Sequence, residues 1–597
     1  MAEASPGTPP SVRLPEDLLD SWKEIAAYLH RDVKTVQRWE KREGMPVHRH
    51  VHDKRGSVYA LSSELDAWLQ SRKLRLEEEE AECRAEAPTV TEAEHEPNAT
   101  RRRRRWLLLG GVAALGLLAV SYVMTRRHAV GATRPKITSL AVLPLKNLSG
   151  DPTQEYLADG MTESLIGRLS AIHDLRVISR TSAMHFKDTL LSVPEIAQAL
   201  GVDAIVEGSV IREGNRIRVH AQLIRGATDE HFWSESYDRD LKDVLALESD
   251  VTQSIARKVE VTVTGEEHER ITAVRSVKPE VYESYLKGVF AAQKSESRAS
   301  MEESIGYFEE AIKRDPTFAP AYVGVAASYD ELGTVFIGAP PEETRAKVMS
   351  ATRKALELDP ELADAHLLLA HMQALQWQWA EAEAEFKRAL KLNPSDATAQ
   401  SRFAAWLLCQ GRTDEALAWT QRAREHDPLA VSGADIGWIL FHARRYDEAI
   451  HELRSELAVQ PDQPTVLWYL GFALIAKGQP EEAIPVLEKS VAGSNRSPGP
   501  IGVLVRAYAQ AGRRTDALRL LGELKRRQQT GYIPAAAFVN AYLGLGDNEQ
   551  AFAWLERGYQ EHSAILGLLK VHPYFDPLRD DPRFAELVRR VGLDQAR

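Results

Sequence analysis

Lys34, Gln37, Arg38 and Lys41 recur at i, i+3, i+4 and i+7, which sets four long basic or amide side chains on one stripe of a helix. Side chains of this kind bond phosphate oxygens and base edges, so the chemistry suggested is recognition of double-stranded DNA. Thr35 and Arg42 flank the stripe, and Lys54 and Arg55 add a second basic point. Between residues 31 and 55, eight Lys or Arg stand against four acids, whereas the whole chain carries a formal charge of −11. Affinity for nucleic acid must therefore rest on this local surplus. Other groups are weaker candidates. His48, His50 and His52 alternate onto one side of a strand, where three imidazoles have the donor set for zinc or for pH sensing. A strand whose polar side meets DNA or solvent fits them better, because nothing nearby is identifiable to orient the rings. Asp159 and Glu163 share a helix face and Asp238 and Asp240 lie close together, but solvated acids are far commoner than catalytic pairs. No Walker loop, dinucleotide fingerprint, Ser nucleophile elbow or zinc motif occurs. Cys83 and Cys409 are too few and too far apart for a disulfide framework or a Cys-rich zinc site. No catalytic residue, cofactor or enzymatic activity is expected.

The elements that must position the basic stripe are legible around it. Ser21 and Glu24 form a capping-box pair, and Trp22, Ile25, Ala26 and Leu29 give a helix with one apolar face. After the turn "HRD", Val33, Val36 and Trp39 face inward and leave the basic stripe outside. "VHRHVH" and "SVYALS" flank "DKRG" as a hairpin with Lys54 and Arg55 at its tip, and a last helix from about Ser63 buries Leu65, Trp68 and Leu69. The order helix, turn, helix, basic hairpin, helix over residues 18–75 resembles the winged helix-turn-helix of MerR-type and excisionase-like domains. The resemblance implies DNA binding, with the wing tip on the backbone.

Residues 1–17 are Pro-rich and read as disordered. Residues 76–105 form a linker, acidic at first, with nine Glu against one Arg over 76–100, and then five consecutive Arg. Trp106 to Thr125 carry no charge over twenty residues, enough for a transmembrane helix across a hydrocarbon core of about 30 Å. Arg101 to Arg105 outweigh the basic residues on the far side and place the N-terminus in the cytoplasm, where DNA is.

Residues 137–264 alternate strand and helix patterns: "SLAVLPL", a helix over "EYLADGMTESLIGRLSAI", "LRVIS", a helix near "VPEIAQALG", then "DAIVEGSVIRE" joined by Gly214 and Asn215 to an alternating strand. With "HFWSESYDRDL", these motifs resemble the α/β TolB-like domain that precedes tetratricopeptide repeats in bacterial regulators. In some of those an adenylate cyclase domain stands at the N-terminal end. Here the basic module stands there, and the resemblance leaves cyclase activity no residues to sit on. From 280 to 597 the chain is helical and periodic. Ala382, Ala416, Ala449, Ala483, Ala517 and Ala551 are 34, 33, 34, 34 and 34 residues apart, in step with Gly411, Gly478, Gly512 and Gly546 and with Pro360, Pro394, Pro428 and Pro461. Period and residue types resemble the tetratricopeptide (TPR) repeat, in an all-α solenoid of about eight or nine helix pairs whose tail "HPYFDPLRDDPRFAELVRRVGL" caps the stack.

The chain thus reads as multidomain: a winged helix-turn-helix, a transmembrane helix, an α/β domain and a TPR superhelix. The expected function is a bacterial, single-pass, inner-membrane transcription regulator with a cytoplasmic N-terminus. Its periplasmic α/β and repeat region would sense a signal and bind a protein or peptide on the concave repeat surface, and pairing of chains is expected to strengthen DNA binding. The alternative is a membrane-tethered TPR scaffold without DNA binding.

Overall fold

The computed structural model describes residues 18–19, 21–29, 36, 40, 45–49, 58–62, 64–66, 68, 136–272, 277–294, 297–334, 339–431 and 433–594. It divides into two compact units, Met1–Gly131 and Ala132–Arg597. The segments expected to be disordered (1–17), linking (76–105) and membrane-spanning (106–125) lie outside the described residues. Among those described, no helix is long and apolar enough to cross a membrane.

In the first unit, α1 (Trp22–Tyr28) starts at Ser21, whose Oγ accepts a hydrogen bond from the Glu24 amide at 3.2 Å. That contact satisfies one of the amides a helix start leaves without a partner. Ile25 and Ala26 are buried, with Trp22 and Leu29 half-buried beside them, which is the expected stripe. Strands β1 (Leu18–Leu19), β2 (His48–Arg49) and β3 (Val58–Leu61) form an antiparallel sheet in the order β1-β3-β2. The β2–β3 pairing, His48 opposite Tyr59, is the expected hairpin. β1 is an addition, since two residues are too short to show alternation. Val36, Met45, Val58, Ala60, Leu65 and Trp68 complete the core.

The second unit opens with a mixed sheet: β4 (Ser139–Val142), β5 (Lys146–Asn147), β6 (Arg176–Val177), β7 (Ala204–Glu213), β8 (Arg216–Arg225) and β9 (Glu230–Asp240). Its order is β6-β4-β7-β8-β9, with β5 beside β7. β4 pairs in parallel with β6 and β7, and the rest of the long path is antiparallel. The parallel part is covered on both faces, as such strands require. Leu140 and Val142 face a core formed with α2 (Glu155–Ser170) and α5 (Val244–Lys258). Ala141 and Leu143 face α4 (Val193–Leu200), which Ser192 and Glu195 close with a capping box. Between these helices lies α3 (Arg180–Met184), a single short turn that the sequence pattern did not separate. On β8, Ile217, Val219, Ala221 and Leu223 are buried and Arg218, His220 and Gln222 are not, as their alternation predicted.

After α6 (Gly265–Thr272) the chain is helical. From α7 (Pro279–Lys294) to Gln560, sixteen described helices form eight antiparallel pairs. The six periodic alanines lie on the second helices of the last six pairs, each 0% exposed, where any larger side chain would force the pair apart. Gly411, Gly478, Gly512 and Gly546 end first helices at φ of +81°, +83°, +76° and +75°, a region open to glycine at little cost. Two of the last six pairs lack that glycine. Trp377 and Arg444 occupy the same turn at φ of +60° and +62°.

Candidate functional site

The first helices of successive pairs carry a run of aromatic residues, including Trp406, Trp438, Phe441, Trp468 and Phe472. The C-terminal segment lies against them. It consists of two 3-10 turns, Ala564–Leu568 and Pro573–Leu578, and a helix over Pro582–Arg590. On the last pair it makes the contacts expected of a cap: Arg583 with Glu549 and Arg590 with Glu556, both at 2.8 Å. It also runs back across the array. Lys570 Nζ donates to the Gln410 carbonyl at 3.2 Å, Tyr574 OH to the Phe472 carbonyl at 3.0 Å, and Arg444 grips both oxygens of Asp576 at 2.6 and 2.7 Å. Trp379 Nε1 donates to the Val591 carbonyl at 2.8 Å. Arg345, on the second pair, donates to the carbonyls of Glu561 and His562 at 2.8 and 2.9 Å, and Trp377 stacks on Tyr559 at 4.8 Å. The second and third pairs are thereby joined to the end of the chain. Both non-glycine turn residues make contacts at this junction, Arg444 with Asp576 and Trp377 with Tyr559.

Two imidazoles are enclosed there. His572 packs edge-on against Trp438, Phe441 and His442, with ring centroids 6.0, 5.4 and 5.0 Å away. Burial holds His442 down at about 3 and His572 well below the ordinary imidazole range, the latter helped by His442 and Arg506, so both are neutral at pH 7. Arg506 is buried with its guanidinium 3.6 Å from the centre of the Tyr574 ring, a cation–π contact. Asp330, on a first helix near the start of the array, accepts from Arg402 at 3.0 Å and approaches His371 at 3.1 Å. Although burial opposes ionisation, these two neighbours hold its carboxyl well below the usual range.

The α/β domain is fastened to the array at two places. Asp427, 1% exposed, accepts from the Ser179 amide at 2.7 Å and from Ser182 Oγ, while Arg176 donates to the His426 carbonyl at 2.7 Å and Ser395 Oγ to the Leu175 carbonyl at 3.1 Å. At the other end, the buried carboxylate of Glu248 on α5 accepts from Ser164 Oγ of α2 at 2.5 Å and from Tyr282 OH of α7. Neither Asp427 nor Glu248 stood out in the sequence. The one signal was the repeat-closing "HDP", whose Pro was used and whose Asp was not.

The residues singled out from sequence fall as follows. Lys34, Thr35, Gln37, Arg38, Lys41, Arg42, Lys54 and Arg55 lie outside the described residues, as do His50 and His52. His48 Nε2 lies 2.7 Å from Glu64 Oε2. Among the described residues no cluster of His, Cys, Asp or Glu has the makings of a metal site. Asp159 is not a solvated acid: it is 3% exposed and bound by Lys187 at 2.7 and 3.0 Å, and Lys187 also reaches Glu155 at 2.6 Å. Asp238 is gripped by Arg216 and Arg218 at 2.5 and 2.9 Å on an exposed strand.

Comparison with known proteins bears on two regions. Residues 376–430, 435–498 and 474–537 match tetratricopeptide-repeat models. The C-terminal region is a TPR array. Ahead of these repeats, residues 136–257, likened above to the TolB-like domain, match the second domain of HilA/YgeH-like transcriptional regulators. The chain therefore carries a transcriptional-regulator-like domain joined to TPRs, and TPRs suggest protein or peptide binding. A protein of Rhizobium meliloti (strain 1021) named "Putative adenylate cyclase 3" is 34% identical over 252 residues, 42% of this chain and 42% of that protein. This match overturns the expectation that the chain has no enzymatic role. The chain spans less than half of that relative. Similar solved structures include the type IV pilus biogenesis factor PilW (15% identical, 42% of this chain and 97% of that one, TM-score 0.27) and the human IFIT1 dimer with PPP-AAAA (16%, 59% and 79%, TM-score 0.34). Their TM-scores are too low to add to the TPR assignment.

Proposed function

We propose that the chain is a membrane-anchored transcription regulator. Its N-terminal module reads double-stranded DNA through Lys34, Thr35, Gln37, Arg38, Lys41, Arg42, Lys54 and Arg55, residues 106–125 cross the inner membrane, and the α/β and TPR body senses a signal in the periplasm. The observation that carries the reading is the HilA/YgeH-like regulator match over residues 136–257. Support comes from the capped helix α1 and the antiparallel β2–β3 pairing, which flank the basic stripe in sequence, and from an uncharged stretch of twenty residues long enough to span. Pairing of chains would place two modules on spaced half-sites and add their contacts.

The test is DNA binding by the full chain and by a variant with Lys34, Arg38 and Arg55 changed to Ala. Removing three phosphate-binding cations lowers the steepness of the salt dependence by about 2.7. Retention of duplex DNA that is insensitive to salt and to these changes overturns the reading. A topology reporter fused after residue 140 tests the membrane arrangement, and activity of that reporter only in the cytoplasm sinks it. Absence of DNA binding with the body outside favours the tethered scaffold. A second reading rests on the relative named as an adenylate cyclase: formation of a cyclic nucleotide, tested by incubating the purified full chain with ATP and Mg²⁺ and looking for cyclic AMP.

A further inference from the structure

The C-terminal segment does not fill the whole interior of the array. Between the early first helices, the middle ones and the segment itself remains a chamber of about 430 Å³, in the size range of small-molecule sites. Trp438, Trp468, Phe472 and Leu568 are among its apolar walls, and Asp330, His371 and Arg345 are among its polar ones. A second cavity of about 240 Å³ shares His371, Leu375, Trp438, Ala564 and Leu568 with it. Trp406 lines this second cavity. It is 5% exposed, and its indole N–H finds no acceptor among the described residues. A buried donor left unmatched is costly, and an acceptor atom on a bound molecule would relieve it.

Charge decides the class of molecule. Asp330 is already matched by Arg402 and His371. Arg345 spends two of its five N–H groups on carbonyls, and burial outweighs the attraction of the nearby Tyr532 and Glu561 for its charge. The same Arg345 also lines an outer cleft of about 710 Å³ with Arg353 and Lys354, where Glu357, already paired with Lys354 at 2.9 Å, is the acid. An aromatic interior thus adjoins a cationic cleft, with one arginine common to both.

We propose that the chamber binds a small amphipathic anion, its apolar or aromatic body against Trp438, Trp468 and Phe472 and its acidic group on Arg345. The proposal goes beyond the regulator reading and stands whether or not the N-terminal module binds DNA. Because the walls come from the second, third, fifth, sixth and last helix pairs and from the C-terminal segment, an occupant touches early and late pairs of the array at once.

The experiment is calorimetric titration of the full chain with 2-naphthoate, and with neutral 2-naphthamide as its uncharged counterpart. We expect saturable binding of one naphthoate per chain, tighter than the amide. Arg345→Leu should weaken naphthoate about tenfold, the usual worth of a charge-assisted contact, and leave the amide unchanged. Ala564→Trp, which places an indole where the two cavities meet, should abolish binding of both. Non-saturable uptake, or binding unaffected by Ala564→Trp in a chain that melts like the wild type, overturns the site. Equal affinity for the two probes, or indifference to Arg345→Leu, overturns the choice of an anion.

Discussion

The two turn positions that lack glycine allow one substitution to be read in two settings. Arg444→Gly removes a left-handed conformation costing an L residue about 1–2 kcal/mol, and glycine returns about 0.5–1 kcal/mol through the freedom it adds to the unfolded chain. What is lost is the pair with Asp576, whose partners are 48% and 41% exposed and whose contribution is therefore about 0–1 kcal/mol. The terms nearly cancel, and the expected change in stability is below about 1 kcal/mol in either direction. Trp377→Gly enjoys the same backbone relief but loses a half-buried indole. About 100 Å² of apolar surface at about 25 cal/mol per Å² gives about 2.5 kcal/mol, and the stack on Tyr559 adds about 0.5–1.5. The net cost is about 2–3 kcal/mol. Urea unfolding of the full chain followed by far-UV circular dichroism separates the two outcomes. Equal effects of the two substitutions, or a loss of about 3 kcal/mol at Arg444, would refute the reasoning that burial of the side chain's contacts, not the backbone geometry of the turn, sets the cost at these positions.

Asp427→Ala leaves Ser182 Oγ and the Ser179 amide without their acceptor and should cost about 3 kcal/mol, with faster amide hydrogen exchange over residues 176–184 as the readout. Gly502→Ala should destabilise by about 1–3 kcal/mol despite better helix propensity, because its Cβ would stand 2.3 Å from the Ala537 carbonyl; Gly306→Ala, with nothing within 4 Å, should stabilise by about 0.5–1 kcal/mol in the same melt. Burial lowers the folded pKa of His442 from 6.5 to about 3, so as pH falls the unfolded chain takes up this proton first. Its contribution is complete above pH 6.5 and is lost progressively toward pH 3, at about 1.4 kcal/mol per unit; His442→Gln should flatten the stability profile over that window by this slope.

The repeat architecture was legible because its signal is redundant. Six alanines, four glycines and four prolines in register demand the same helix pair each time, and the structure buries every one of those alanines. The α/β strands were legible for a similar reason, since alternation on β8 can satisfy only one face of a sheet. Asp159 was misread because sequence spacing does not show Lys187, 28 residues away, reaching back to it. The route of the C-terminal segment was hidden for a deeper cause. Its contacts join residues more than a hundred positions apart through backbone carbonyls, which every residue possesses and which leave no mark on composition. The gaps at 377 and 444 in the glycine series were the trace it did leave.

Trp379 waits for an acceptor 212 residues downstream, at Val591. At about 5–20 residues per second, a ribosome needs on the order of ten to forty seconds to deliver it. Until then the apolar faces of the early helices lack the partners that cover them in the complete fold. Loss of residues 564–590 therefore yields no merely shorter solenoid but an array whose aromatic residues have lost their cover.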